Sequence, residues 1–354
     1  GHRHSPIYLI FLSLFLDLGL DIDQVRFFHL HLSISLILIF YQCLRLKFIN
    51  VNNNYLFLLS LIIFLSPTFR SLAIWPDSRL PGLILFVLTV YFFLRLKKTH
   101  QFKYTWFASI SLIFSSYISP NFSIFFPYFF FFFLKEFGLK KLSLLIVFNF
   151  LASLPILYYI FILDVNFIAA GKTPNFNNES ISFSFNFSDK IMIVCSIIFF
   201  HLSPILIMDN TFNYFKNFLF KNFKLLILFL ACLVYFFSYQ ISYTGGGIFF
   251  ILSNLLLSNN YLFYLGSFFF IGFVAYIASL NLNNFSLLIL IVISNIQNTI
   301  YHKYYEPMML IIFFTLIKYP GVENLLKKKS NIFYLYFLSF IYILMRVFKI
   351  NYLI

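Results

Sequence analysis

Near-continuous apolar stretches of about 20 residues recur along the whole chain, each long enough to cross a hydrocarbon core about 30 Å thick as a helix. No other feature constrains the fold as much. Lipid offers backbone amides no hydrogen-bond partner, so a crossing segment must satisfy its own amides as a helix or close into a barrel. A barrel needs short segments of alternating polarity, and the run from Phe129 to Leu134 does not alternate. Only 10% of the 354 residues are charged and 61% are hydrophobic, against about 25% charged in a soluble domain. A water-soluble fold is excluded, and the chain reads as an all-α polytopic integral membrane protein.

Candidate spans fall at 27–46, 55–75, 80–98, 104–119, 121–135, 142–163, 190–208, 225–243, 261–280, 285–300, 307–319 and 331–348, which predicts about eleven or twelve transmembrane helices. Two further apolar pieces, 7–16 and 248–257, are too short to span and are expected to lie in the interface as juxtamembrane helices. No repeat and no long Gly/Ser linker interrupts the chain. A single membrane domain, 1–354, is expected: the end of a first outer loop with a juxtamembrane helix (1–26), core helices (27–163), an outer loop (164–189) and C-terminal helices (190–354).

The net charge of +14 does not point to nucleic acid, because Lys and Arg fall in ones to threes between apolar blocks and form no basic face. They report topology instead. Arg45 and Lys47, then Arg95, Lys97 and Lys98, then Lys135, Lys140 and Lys141, then Lys216, Lys221 and Lys224, then Lys318 and Lys327 to Lys329 are separated by even numbers of spans. All five clusters land on one face, expected to be cytoplasmic. The uncharged turn at 281–284 and the last helix, which puts Arg346 and Lys349 on the other side, fit this scheme least well. Cys43, Cys195 and Cys232 sit inside apolar segments with no metal or disulfide spacing.

The opposite set of loops, expected to be extracytoplasmic, holds the residues with chemical potential. Asp77 lies in Trp75-Pro76-Asp77-Ser78-Arg79 between two spans, and a carboxylate at the membrane edge is costly enough to mark a functional candidate. The bland alternative is a pair with Arg79 or a cap on the next helix. A second cluster is His302-Lys303-Tyr304-Tyr305-Glu306-Pro307, where Lys303 with neighbouring phenols suits a phosphate oxygen. Its bland counterpart is an aromatic belt with a snorkelling Lys. Arg3 and His4 precede the first juxtamembrane helix and suit a lipid phosphate, although residues 1–4 also read as a tag remnant. His29 and His31 read as structural, and Gly245-Gly246-Gly247 as a flexible turn. The Asp17, Asp21 and Asp23 group lacks the spacing of a calcium loop.

Taken in order, these segments resemble the GT-C superfamily of membrane glycosyltransferases, which includes protein mannosyltransferases and aminoarabinose transferases and uses polyprenyl-phosphate sugars as donors. The matching pieces are His4-Ser5-Pro6-Ile7-Tyr8, Leu18-Gly19-Leu20-Asp21-Ile22-Asp23-Gln24-Val25-Arg26, Asp77, Ser119-Pro120-Asn121, and Lys303-Tyr304-Tyr305-Glu306-Pro307, with Lys where the family has Arg. The resemblance implies an inverting hexosyl transfer at the outer face of a bacterial inner membrane, to a glycan, lipid or protein acceptor. It implies a catalytic role for Asp77, and donor-phosphate or substrate contacts from Lys303, Tyr304, Glu306, His302, Arg79, His4 and Arg3. It implies the lipid-linked donor and no certain cofactor; a divalent metal is left open, with no residue pattern to support it. The family's acidic residue in the first outer loop is expected upstream of Gly1, so the chain reads as an N-terminally truncated fragment.

A transporter or flippase of lipid-linked glycans is the runner-up. Such proteins place charged or broken-helix sites near the midplane, whereas the polar residues here fall at the ends of expected spans. A glycan polymerase or ligase is disfavoured because 164–189 carries Lys172 but no Arg or His. The topology is open to test with single cysteines in a background lacking Cys43, Cys195 and Cys232. Trp75→Cys should react with an impermeant maleimide in intact cells and Gln101→Cys only from the cytoplasmic side. Labelling of both from one side would break the assignment.

Overall fold

The computed structural model describes residues 6–162, 186–207, 211–240, 245–295, 300–326 and 328–352. Arg3, His4, Lys327 and nearly all of 164–189 lie outside these. No strand forms among the described residues; the sole bridge there is an isolated antiparallel one between Gly245 and Tyr301.

Local chemistry sets where each helix starts and stops. Helix α1 (Pro6–Asp17) is the short apolar helix expected at 7–16. Helix α2 (Ile22–Lys47) begins at a reciprocal cap: the Asp21 carboxylate accepts from the Gln24 N–H, and the Gln24 side chain accepts from the Asp21 N–H. Its last turn holds Arg45 and Lys47, which complement the negative end of the helix dipole. The span expected at 55–75 is a broken pair, α3 (Asn53–Leu65) and α4 (Pro67–Ile74), bent by 74°. Pro67 supplies no N–H to continue the first helix.

Helix α5 (Arg79–Thr99) closes on Lys97, Lys98 and a left-handed His100, and α6 (Lys103–Ile118) follows. A 3-10 turn at Pro120–Phe125 opens α7 (Phe126–Phe161), in which Gly138 at φ 73° interrupts the helix between the spans expected at 121–135 and 142–163. Then come α8 (Phe187–Leu202), α9 (Pro204–Ile207), and α10 (Thr211–Lys221) with α11 (Phe223–Tyr235), a second pair bent by 75°. The chain continues through α12 (Gly247–Leu257), α13 (Tyr261–Ser279), α14 (Leu282–Ile293), a 3-10 turn at His302–Tyr304, α15 (Glu306–Thr315), α16 (Pro320–Leu325) and α17 (Lys329–Tyr352).

Four segments, α2, α5, Pro120–Tyr158 and α13, are long and apolar enough to cross a membrane, and the two bent pairs raise the number to six. Other expected spans coincide with shorter helices: α6 and α8 have 16 residues, α14 has 12 and α15 has 10. The outward faces are apolar, with Leu228, Leu265 and Leu282 each at least 70% exposed. Surfaces of that kind are stable against acyl chains and not against water, and the protein is membrane-embedded.

The described residues form two compact units, one from residues up to Ile49 and from Ser71 to 162, the other from Asn50–Arg70 and the residues from 186 onward. In the first, α5 is the axis and packs against α2 and α6. The Ser115 hydroxyl donates to the Gly82 carbonyl at 2.8 Å, and a Cβ at Gly82 would lie 2.7 Å from Ser119 Cβ. Small residues thus let two backbones approach, as membrane helices require where no hydrophobic effect drives them together. Phe86, Phe93, Phe122, Phe125 and Phe129 interlock beside this seam. His100 Nδ1 pairs with Glu136 at 2.6 Å, joining the turns that carry Arg95–Lys98 and Lys135–Lys141. Both turns were expected on one face.

In the second unit α8 is the axis, contacted by α12, α13, α14, α15 and α17 and buried along nearly its whole length. Asn281 caps α14 through the Asn284 N–H, and the buried Asn284 amide exchanges hydrogen bonds with the Lys318 backbone. The uncharged 281–284 turn is therefore a capped helix start tied to the Lys318 end of the unit. The glycines at 245–247 are also tied, in contrast to the flexible turn expected there. Gly246 (φ 95°) donates to the Ile300 carbonyl at 3.1 Å.

Gly82→Val, which forces a branched side chain into the Ser119 contact, should destabilise the first unit by about 1–3 kcal/mol. Thermal unfolding in detergent micelles measures this, and an unshifted transition would mean the α5–α6 seam is loose.

Candidate functional site

The residues singled out in the sequence separate into two groups. Asp77, at the α4–α5 junction, belongs to the first unit. Its Oδ1 accepts from the Arg79 N–H at 3.0 Å and its Oδ2 from Arg79 Nη1 at 3.2 Å, the pairing weighed as the bland alternative. Both side chains are about three-quarters buried, at 22% and 23% exposed. His29 is buried and its Nδ1–H donates to the Ala73 carbonyl at 3.2 Å, and the Arg26 guanidinium lies over Trp75 at 4.5 Å. His29 Nε2 and the Tyr8 hydroxyl are buried without a hydrogen-bond partner among the described residues. Burial, with the Asp77 charge adding to it, pushes the Tyr8 phenol well above its ordinary value. Asp77 is thus paired with one guanidinium, and its charge is felt by the Tyr8 phenol and the His29 imidazole. His31 is local, with Nδ1 on the Phe27 carbonyl of its own helix. Asp21 serves as a cap and Asp23 pairs with Arg26 at 2.9 Å.

The second group lies in the second unit. Lys303 and Tyr304 are partly exposed, with Lys303 Nζ over the Tyr301 ring at 5.8 Å. His302, Tyr305 and Glu306 turn the other way. Glu306 is 1% exposed and His302 7%, so neither shares the partial exposure of Lys303 and Tyr304. Pro307 in the first turn of α15 explains how the chain turns inward there: its fixed φ suits a helix start and its missing N–H costs nothing at that position.

What His302 and Glu306 meet was not anticipated. His302 Nε2 lies 2.7 Å from Nε2 of His201, at the last turn of α8, and His201 Nε2 is 3.9 Å from Glu306 Oε1. The other Glu306 oxygen accepts from the Thr68 hydroxyl, which is also in contact with Ser66 at 2.8 Å. Tyr342 of α17 stacks on His302 at 5.5 Å with 27° between planes and meets His201 edge-on at 5.6 Å. The donors of His201, His302 and Glu306 all lie within 4.8 Å of one another. His201 is about 18 Å along α8 from Asp189, at 1.5 Å per residue. Asp189 itself is held at the other end by the Ser238 and Tyr239 amides.

Two signals pointed to this cluster without being read. A lone His inside the apolar run Phe199-Phe200-His201-Leu202 is an ionisable group at membrane depth, and Ser66-Pro67-Thr68 marks a break within an apolar segment. Chemically, two imidazoles and a carboxylate with Tyr342 against both rings can pass a proton, hold a cation, or fix an oxyanion through an imidazolium.

Replacing Thr68 by Val removes one donor from a buried carboxylate and should cost about 1–3 kcal/mol. Thermal unfolding reads the loss, and a Thr68→Ser variant should recover most of it. No protein-family model, curated protein or solved structure matches the chain.

Proposed function

We propose that the chain is a GT-C type membrane glycosyltransferase that moves a sugar from a polyprenyl-phosphate donor to a glycan, lipid or protein acceptor at the outer face of a bacterial inner membrane. The observation that carries this reading is the ordered set of short motifs along the sequence, ending in Lys303-Tyr304-Tyr305-Glu306-Pro307. Two structural features agree with it. That last motif opens a helix, α15, as the family's counterpart does, and Asp77 bonds Arg79 through both oxygens at a helix junction.

In an inverting transfer the acceptor oxygen attacks the anomeric carbon as the bond to the donor phosphate breaks. Its proton must go to a base while the phosphate gains charge. The cation proposed to stabilise that charge is Lys303, Arg79 or Arg3. Asp77 orients Arg79 and lowers the cost of holding it at the membrane edge. The test is sugar transfer from polyprenyl-phosphate donors by the reconstituted protein. Asp77→Asn and Lys303→Ala should each lower the rate by about a hundredfold or more. Transfer by Asp77→Asn at the unaltered rate would remove Asp77 from the mechanism.

A specific observation favours the second reading, a carrier of lipid-linked glycans. Ionisable groups are buried among helices beside a broken one, at Glu306, His201 and the Ser66–Thr68 break, the arrangement that carriers use. Movement of a lipid-linked glycan across liposomes without any transfer would select it.

A further inference from the structure

The geometry points to a divalent transition-metal site, of the zinc class, formed by His201, His302 and Glu306. Three ligand groups from three elements, the end of α8, the 3-10 turn and the start of α15, converge on one point, with donors within 4.8 Å of one another and all three residues at most 8% exposed. Two imidazoles and one carboxylate form a borderline ligand set, suited to Zn²⁺, Co²⁺ or Ni²⁺ and poorly to Mg²⁺ or Ca²⁺, which take oxygen.

Charge balance favours the ion. A divalent ion would offset the charge of the buried Glu306 carboxylate while replacing the hydrogen bond between the two rings. That bond holds one proton between His201 Nε2 and His302 Nε2 at 2.7 Å. Metal binding moves that proton to Nδ1 of the ring that carries it, so both imidazoles stay neutral, and forms two metal–nitrogen bonds and one metal–oxygen bond. Ligands about 2.0–2.1 Å from a tetrahedral zinc are about 3.3 Å apart, so the rings must part by about 0.6 Å and Glu306 Oε1, now 3.9 Å from His201 Nε2, must close by a similar amount. The third pair, His302 and Glu306, lies within 4.8 Å and closes by at most about 1.5 Å, and all three shifts are within side-chain reach.

The surroundings already hold the ligands as an outer shell does. The Thr68 hydroxyl engages one Glu306 oxygen and leaves the other toward His201, and Tyr342 packs against both rings. Three protein ligands leave a coordination position for a non-protein oxygen.

The test uses the full chain in detergent, loaded with ZnCl₂ in excess Mg²⁺, desalted and assayed for metal by mass spectrometry. One zinc per chain is expected, with a rise of a few degrees in unfolding temperature over chelator-treated protein. Co²⁺ should give the intense visible bands of a tetrahedral site. His201→Gln and His302→Gln should lose the metal, Thr68→Val should bind about 10–100-fold more weakly, and His100→Gln, at an exposed His elsewhere, should retain it. Wild-type protein that unfolds cooperatively yet keeps no zinc and gives no cobalt bands overturns the proposal, as does zinc retained by the His201→Gln/His302→Gln double variant. Neither readout depends on sugar transfer.

Discussion

A backbone amide inside lipid must find its partner within its own helix, and most of this structure follows from that constraint. It explains why no strand forms among the described residues and why composition alone excludes most architectures. It also explains where side-chain polarity is spent. Each helix break frees amides and carbonyls, and a nearby polar side chain meets them. At the α3–α4 bend the Ser66 hydroxyl accepts from the Phe69 N–H, and before α14 Asn281 does the same for Asn284. In both places a hydroxyl or amide stands in for the water that a soluble protein would use.

The same economy brings ionisable groups together. A single His or Glu beside lipid is costly, whereas a set that satisfies itself is tolerable. Glu306 accepts from Thr68 and faces His201, His201 shares a proton with His302, and the aromatic ring of Tyr342 packs against both imidazoles. The cluster links the end of the buried α8 axis to the start of α15, so chemistry and packing in the second unit meet at one point. In the first unit the Asp77–Arg79 pair does similar work at the start of α5, beside the His29 contact with Ala73.

Which turns of the chain come together was legible in part. Segments expected to share a face are joined in pairs within each unit: His100 with Glu136, Asn284 with Lys318, Gly245 with Tyr301. Basic turns and capped breaks leave marks that survive translation into sequence because their causes are local. The candidate site was legible only in part. Asp77 and Arg79 are two residues apart and their pairing was weighed. His201 and His302 are 101 residues apart, and no local rule connects an isolated His in one apolar run to another beside a Pro-opened helix. His302 and Glu306 were expected to contact the donor together with Lys303 and Tyr304, but the 3-10 turn and Pro307 direct them inward.

The sequence by itself determined the solvent, the helical class and most helix starts, because each follows from composition or from contacts within about one helical turn. Only the tertiary structure decided which helices break, which turns are tied and which polar residues meet. Those outcomes depend on close approach at Gly82 and on Thr68, His201 and Glu306 converging from distant parts of the chain. Packing selects such convergence because a buried polar group without a partner costs more than the chain can recover elsewhere.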